Sequence, residues 1–169
     1  MLTALVTPLR GGHVDQTTFR TLVQRQIDAG IDGLVPCGTT GEAPTLSLDE
    51  HAEVIRWTVE EAAGRIPVLA GVGSNCTRTA IQNSKQARDA GAEGLLVTAP
   101  YYNKPTQEGL FRHFVAVAES QPTLEVCVYD VPGRTGVRVL PETIERLAQV
   151  DNITCVKDAT GDLAHAADV

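Results

Sequence analysis

Short apolar runs recur along the chain at intervals of about 30 residues. Each run is rich in Val, Leu or Ile and too short for a helix. The apolar character is continuous within a run, as expected for strands buried on both faces of a parallel sheet. The six predicted strands are Leu2–Thr7, Gly33–Cys37, Pro67–Val72, Gly94–Ala99, Leu124–Tyr129 and Ile153–Val156.

Helical patterns fill the segments between these runs. Asp15 is a predicted N-cap for the first helix, and Ser47 with Glu50 has the form of a capping box that begins the second. The remaining helices are expected over residues 77–90, over residues 106–119 and from Pro141 onward.

A repeated strand–helix unit leaves two architectures open, a doubly wound open sheet and a (β/α)8 barrel. The 169 residues could complete an open sheet, whereas a barrel needs about 250 residues. On the barrel interpretation, residues 1–169 are the N-terminal part of a single barrel with about six of its eight β–α units. No G-x-G-x-x-G follows the first strand, so the main sign of a dinucleotide-binding sheet is absent.

Polar residues collect directly after the predicted strands, at the sheet edge where both architectures place active sites. Lys157 follows an apolar run and is one of three lysines in the chain. A lysine buried there would have a lowered pKa, and its neutral amine could form a Schiff base with a carbonyl compound. The alternative is a lysine at a strand end whose ammonium group extends into solvent.

Strand alternation places Cys155 and Lys157 on one face, and likewise Cys127 and Tyr129 on the preceding predicted strand. If that face points inward, Lys157, Tyr129 and Thr39 converge at one rim. The tyrosine hydroxyl could then carry a proton beside the amine. We also expect the cysteines to be buried packing residues.

Other residues at these strand ends could bind carboxylates. The Gly38–Gly41 turn offers backbone N–H groups and two hydroxyls, although an ordinary turn is an equal alternative. Arg134 could bind a second carboxylate through its guanidinium group, or could be a surface arginine. The four histidines lack the spacing of metal ligands, and we expect them to be surface or helix residues with no metal site.

The formal net charge of −7 argues against nucleic acids and anionic membranes as partners. No apolar run is long enough to span a membrane. The first residues lack the basic segment of a signal peptide, so the cytoplasm is the expected location.

Three linked motifs resemble the dihydrodipicolinate synthase / N-acetylneuraminate lyase superfamily: Gly33–Ala43, Tyr129–Gly136 and Val156–Asp158. The resemblance covers the whole chain and is strongest to its dihydrodipicolinate synthase branch. It implies a (β/α)8 barrel whose last two strands and C-terminal helical domain are missing here. It also implies a homotetramer, a dimer of dimers, that needs no cofactor. The implied reaction condenses pyruvate with L-aspartate-4-semialdehyde to 4-hydroxy-tetrahydrodipicolinate in lysine and diaminopimelate biosynthesis.

The resemblance also implies roles for individual residues. Lys157 would form the Schiff base with pyruvate, and Tyr129 would donate and accept protons. Thr39 would pass protons between Tyr129 and Tyr102, with Tyr102 supplied by a dimer partner. The implied carboxylate-binding residues are Thr40 for pyruvate and Arg134 for the semialdehyde.

Two alternatives remain beside this interpretation. The protein could be another aldolase or dehydratase of the superfamily that acts on a keto-sugar acid, or the chain could be an inactive fragment. Lysine-inhibited relatives carry a histidine at the position of Leu48 and a glutamate at that of Thr79, so feedback inhibition by lysine is not predicted.

Overall fold

The computed structural model describes residues 1–168, which form two compact units. The first unit comprises Met1–Gly71 and Gln86–Leu95, and the second comprises Val72–Lys85 and the residues from Leu96 onward. No helix among residues 1–168 combines the length and apolar composition needed to cross a membrane.

In the first unit, parallel strands alternate with helices as the apolar runs predict. β1 and β4 pair in parallel, with Leu2 opposite Gly33 and Ala4 opposite Val35. A short antiparallel hairpin of β2 and β3 was not predicted, because its strands have two residues each. The elements are β1 Leu2–Ala4, β2 Leu9–Arg10, β3 His13–Val14, α1 Gln16–Asp28, β4 Gly33–Val35, α2 Leu48–Ala62 and β5 Leu69–Gly71.

The first two helices begin at the predicted caps. The Asp15 carboxylate accepts a hydrogen bond from the backbone N–H of Thr18 at 3.1 Å. Ser47 and Glu50 form a complete capping box, in which each side chain accepts from the other residue's backbone N–H. These bonds satisfy donors that the first helical turn leaves free, which explains why both helices start there.

The core of the first unit lies between these two helices and the strands. α1 contributes Phe19 and Val23, and α2 contributes Val54 and Ile55, all four fully buried. Burying side chains of this size stabilises the fold by roughly 1.5–3 kcal/mol each.

The second unit repeats the same strand–helix alternation. α3 Thr77–Ala90 and β6 Gly94–Thr98 contribute residues to both units. Strand β7 (Glu125–Asp130) pairs in parallel with β8 (Ile153–Asp158), with Cys127 opposite Cys155 and Tyr129 opposite Lys157. The one-turn helix α5 was not predicted from the sequence. The remaining elements are α4 Gln107–Ser120, α5 Pro132–Thr135, α6 Pro141–Leu147 and α7 Leu163–Asp168.

Candidate active site

The turn from Gly38 to Gly41 lies in the first unit and follows β4 after Pro36 and Cys37. The N–H of Gly41 donates to the carbonyl of Gly38 at 3.1 Å, and the Thr7 hydroxyl donates to the carbonyl of Gly41 at 2.8 Å. Gly41 is buried, and a Cβ there would lie 3.0 Å from the carbonyl oxygen of Leu5. The turn is therefore closely packed against the chain that follows β1.

The two threonines of this turn remain available for binding. Thr39 is half-buried and Thr40 is exposed. Within residues 1–168, the backbone N–H groups of these two threonines donate no hydrogen bond. Hydroxyl groups and free N–H groups together suit a carboxylate ligand.

The rim formed by β7 and β8 lies in the second unit. Tyr129 is 5% exposed, and the Nζ of Lys157 lies 4.2 Å from the centroid of its ring. The register of the two strands accounts for this contact, because it places the residues directly opposite each other. The prediction that Lys157 and Tyr129 share a face is confirmed.

Of the two alternatives for Lys157, the structure shows the lysine at a strand end that extends into solvent. Its side chain is exposed, as are Cys155 and Asp158 on the same strand. Among residues 1–168, β8 pairs with β7 alone and lies at the edge of the sheet. An apolar run predicts that a strand can be buried, but only a neighbour on its second side buries it.

Tyr102 lies in the loop after β6 and points away from the protein. It is 88% exposed and has a φ angle of 69°, in the left-handed region. Its N–H donates to the carbonyl of Thr135 at 3.3 Å, which ties the loop to α5. The next residue, Asn103, is anchored by its side-chain amide, which donates to the carbonyl of Asn75 at 2.7 Å.

Arg134 is exposed in α5, which begins at Pro132. This helix ends at Thr135 and is capped by Gly136, whose φ of 76° suits a residue without a Cβ. The contact between Tyr102 and Thr135 places the Tyr102 loop beside the segment that carries Arg134. Four predicted site residues therefore lie in the second unit. Lys157 is paired with Tyr129, and Tyr102 lies on a loop beside the helix that carries Arg134. Thr39 and Thr40 lie in the first unit.

A model of the dihydrodipicolinate synthetase family matches residues 1–169. The chain belongs to this family. The 4-hydroxy-tetrahydrodipicolinate synthase of Nitratidesulfovibrio vulgaris is 55% identical over 168 residues, which are 99% of this chain and 57% of that protein. The enzyme of the same name from Pelobacter propionicus is 52% identical over 99% of this chain and 58% of its own length.

Solved structures agree with this family assignment. One is the chloride-inhibited dihydrodipicolinate synthase of Acinetobacter baumannii complexed with pyruvate. It is 48% identical, with a TM-score of 0.94 over 97% of this chain and 56% of that one. The predicted partial (β/α)8 barrel is confirmed, and the chain spans less than three fifths of the length of these dihydrodipicolinate synthases.

The four cysteines differ in burial. Cys37 and Cys127 are buried as predicted, and burial raises the pKa of each thiol to about 12. The prediction is wrong for Cys76 and Cys155, which are exposed. Cys76 precedes the first residue of α3, where hydrogen bonds from the backbone and side chain of Thr79 lower the pKa of its thiol.

Three of the four histidines lie in helices, one of the two settings expected for them, but their burial was not predicted. They are His51 in α2, His113 in α4 and His165 in α7. The Nδ1 of His113 lies 2.9 Å from the Thr77 hydroxyl, and burial lowers the pKa of its imidazole to about 4. No group of three or more metal-ligating side chains occurs in the part of the chain that the structure describes.

Proposed function

We propose that the protein is a Schiff-base-forming lyase that condenses pyruvate with L-aspartate-4-semialdehyde to 4-hydroxy-tetrahydrodipicolinate. The main support is the distance of 4.2 Å between the Lys157 Nζ and the Tyr129 ring centroid on two paired strands. Relatives more than half identical in sequence carry the name of this synthase, and one solved relative is complexed with pyruvate.

The first step joins Lys157 to pyruvate. The neutral amine adds to the ketone carbon, and loss of water gives an iminium ion. The iminium withdraws electrons from the neighbouring methyl group, so a proton leaves its carbon and an enamine forms. The electrophile arises from Lys157 and pyruvate themselves, so the reaction needs no organic cofactor or metal.

The second step forms the carbon–carbon bond. The enamine carbon attacks the aldehyde of the semialdehyde, whose oxygen takes up a proton. The amino group of that substrate then attacks the imine carbon, closes the ring and releases the Lys157 amine. Tyr129 carries the protons, and Thr39 relays them to Tyr102.

Two further residues bind the carboxylates of the substrates. Thr40 offers a hydroxyl and a free N–H to the carboxylate of pyruvate. Arg134 can donate two parallel hydrogen bonds to the carboxylate of the semialdehyde. The exposure of Tyr102 supports its use by a second copy of the chain, so we propose a dimer as the active unit within a tetramer.

Chemical trapping tests the first step. The purified protein, expressed from its complete gene, is incubated with pyruvate and borohydride and then digested for mass spectrometry. A pyruvate-derived mass on the peptide that contains Lys157 is expected, and the exposed Lys85 of α3 is the internal control. An unmodified Lys157 would overturn the proposal.

Substrate comparison tests the second step. The rate with aspartate semialdehyde is measured against the rates with keto-sugar acids. A clear preference for the semialdehyde, lost in Arg134→Ala, is the expected outcome. Equal semialdehyde kinetics in Arg134→Ala and the parent protein would favour a different aldolase or dehydratase of the family.

A further inference from the structure

We propose that His51 is a positioning residue for the Gly38–Gly41 turn, which it holds through Gly71 in the geometry that receives a carboxylate. This inference rests on the proposed function, because it assigns pyruvate to that turn. His51 lies on α2 and is 5% exposed, so it does not itself face a substrate in solution.

The hydrogen bond of His51 defines the state of its ring. Nε2 lies 2.8 Å from the carbonyl oxygen of Gly71. Because a carbonyl can only accept, Nε2 must carry the hydrogen. The Nδ1 atom is buried and has no partner among residues 1–168, so it is the unprotonated nitrogen. Burial also lowers the pKa of the imidazole, in agreement with a neutral ring.

Gly71 transmits this contact to the chain that precedes the turn. Its N–H donates to the carbonyl of Pro36 at 2.9 Å, while its own carbonyl accepts from His51. A Cβ on Gly71 would overlap the carbonyl oxygen and carbon of Cys37. The end of β5 therefore lies directly against the peptide that joins Cys37 to Gly38.

Cys37 stores strain at this point. Its φ angle is 54°, a left-handed conformation that costs a residue with a Cβ roughly 1–2 kcal/mol. Strain of this kind persists where surrounding contacts determine the conformation. The Cys37 thiol lies 3.7 Å from the carbonyl of His51, which closes a ring of contacts from His51 through Gly71 and Cys37 back to His51.

The turn follows Cys37 immediately, so the direction of the Thr39 and Thr40 N–H groups depends on this strained residue. Without the imidazole donor, the buried carbonyl of Gly71 loses its partner. Gly71 could then move away from Cys37, and the left-handed residue could relax. The expected result is a weaker carboxylate site with unchanged chemistry at Lys157.

Two substitutions separate the donor from the bulk of the ring. His51→Leu removes the donor at similar size, and His51→Gln keeps an N–H near the position of Nε2. We expect the KM for pyruvate to rise about tenfold in His51→Leu, as for the loss of one buried hydrogen bond. The kcat should stay within about threefold, and His51→Gln should restore most of the KM.

The matched control is His113→Leu, which removes a buried imidazole from α4 of the second unit. A general loss of stability would act equally in both Leu variants, so a rise in KM confined to His51→Leu supports positioning. The same KM in His51→Leu and His113→Leu overturns the inference.

A second variant keeps the test decisive if His51→Leu does not fold. His51→Asn remains polar, but its amide is too short to reach the Gly71 carbonyl from the same backbone. A raised KM in His51→Asn supports the inference, and a parental KM overturns it. Failure of the proposed function is distinguishable, because it appears as an unmodified Lys157 in the parent protein after borohydride treatment.

Discussion

The Gly38–Gly41 turn and the β7–β8 rim are held in place in different ways. The turn and Cys37 before it are contacted by several segments: the Thr7 hydroxyl donates to Gly41, Gly71 packs on the Cys37 carbonyl, and His51 contacts both Gly71 and Cys37. The rim is set by strand register, which places Lys157 opposite Tyr129 while leaving the lysine exposed. Placement and burial are therefore separate properties of a site residue. Strand register places the Lys157 amine beside the Tyr129 ring, but it does not bury the amine.

Substitution of Lys157 should separate activity from stability most clearly. In Lys157→Met, we expect Schiff-base formation with pyruvate to fall by at least about 10³-fold, because the nucleophile is gone. The free energy of unfolding should change by about 0.5 kcal/mol or less, since the side chain is exposed. Borohydride trapping and urea unfolding measure the two effects, with Lys85→Met as control. A large loss of stability would mean that the rim is held by more than register.

Substitution of Gly71, in contrast, should act mainly on stability. Gly71→Ala places a methyl group on the Cys37 carbonyl, and we expect a loss of about 3 kcal/mol or more in stability. Gly133→Ala is the control, because nothing lies within 4 Å of its added Cβ. Urea unfolding measures both variants. Equal stability of the two would show that the turn is less tightly packed than the contacts indicate.

Acid should destabilise the protein through His113, a buried imidazole of α4. His113 has a pKa of about 4 in the folded protein, below the value near 6.5 expected when unfolded. The unfolded chain therefore binds a proton between these pH values that the folded chain does not. The contribution of His113 to the free energy of unfolding is therefore fully present above about pH 6.5 and is lost as the pH drops towards 4.

In His113→Gln, the fall in the free energy of unfolding between about pH 6.5 and pH 4 should be about 2 kcal/mol smaller than in the parent protein. This is less than the full shift of the His113 pKa would give. The measurement is the free energy of unfolding at several pH values in that window. His13→Gln, a substitution of the same type at an exposed position, is the control variant. An unchanged slope in His113→Gln would show that other groups cause the acid sensitivity.

Loss of the Ser47 cap should give the smallest effect. Ser47→Ala removes one half of the capping box of α2, the helix that carries His51. We expect a loss of about 1 kcal/mol in stability with an unchanged KM for pyruvate, because the cap lies at the helix end. A raised KM would mean that the whole helix, and not the imidazole alone, positions the turn.

Local signals predicted much of the fold. The caps at Asp15 and Ser47 were predicted correctly, because each depends on a side chain and a backbone N–H three residues away. The six strands also agree within a few residues, since each is a continuous apolar run. The short hairpin and α5 were missed, because elements of two to four residues carry too little pattern.

Burial was predicted less well than secondary structure. Cys155 and Lys157 follow the pattern of a buried strand but are exposed, and the burial of His51 within α2 was not predicted. The left-handed conformation of Cys37 has no signal in the sequence, because residues with a Cβ rarely adopt it. The predicted roles of the site residues remain predictions that trapping and kinetics can test.

The sequence by itself determined where the longer strands and helices lie, and which residues share a face of a strand, because apolar runs, caps and alternation act over a few residues. The tertiary structure decided which of those faces are covered and how the Gly38–Gly41 turn is held. Those properties depend on segments distant in the chain, such as His51 and Gly71 against Cys37. Packing between such segments sets burial and strain, and no local pattern encodes it.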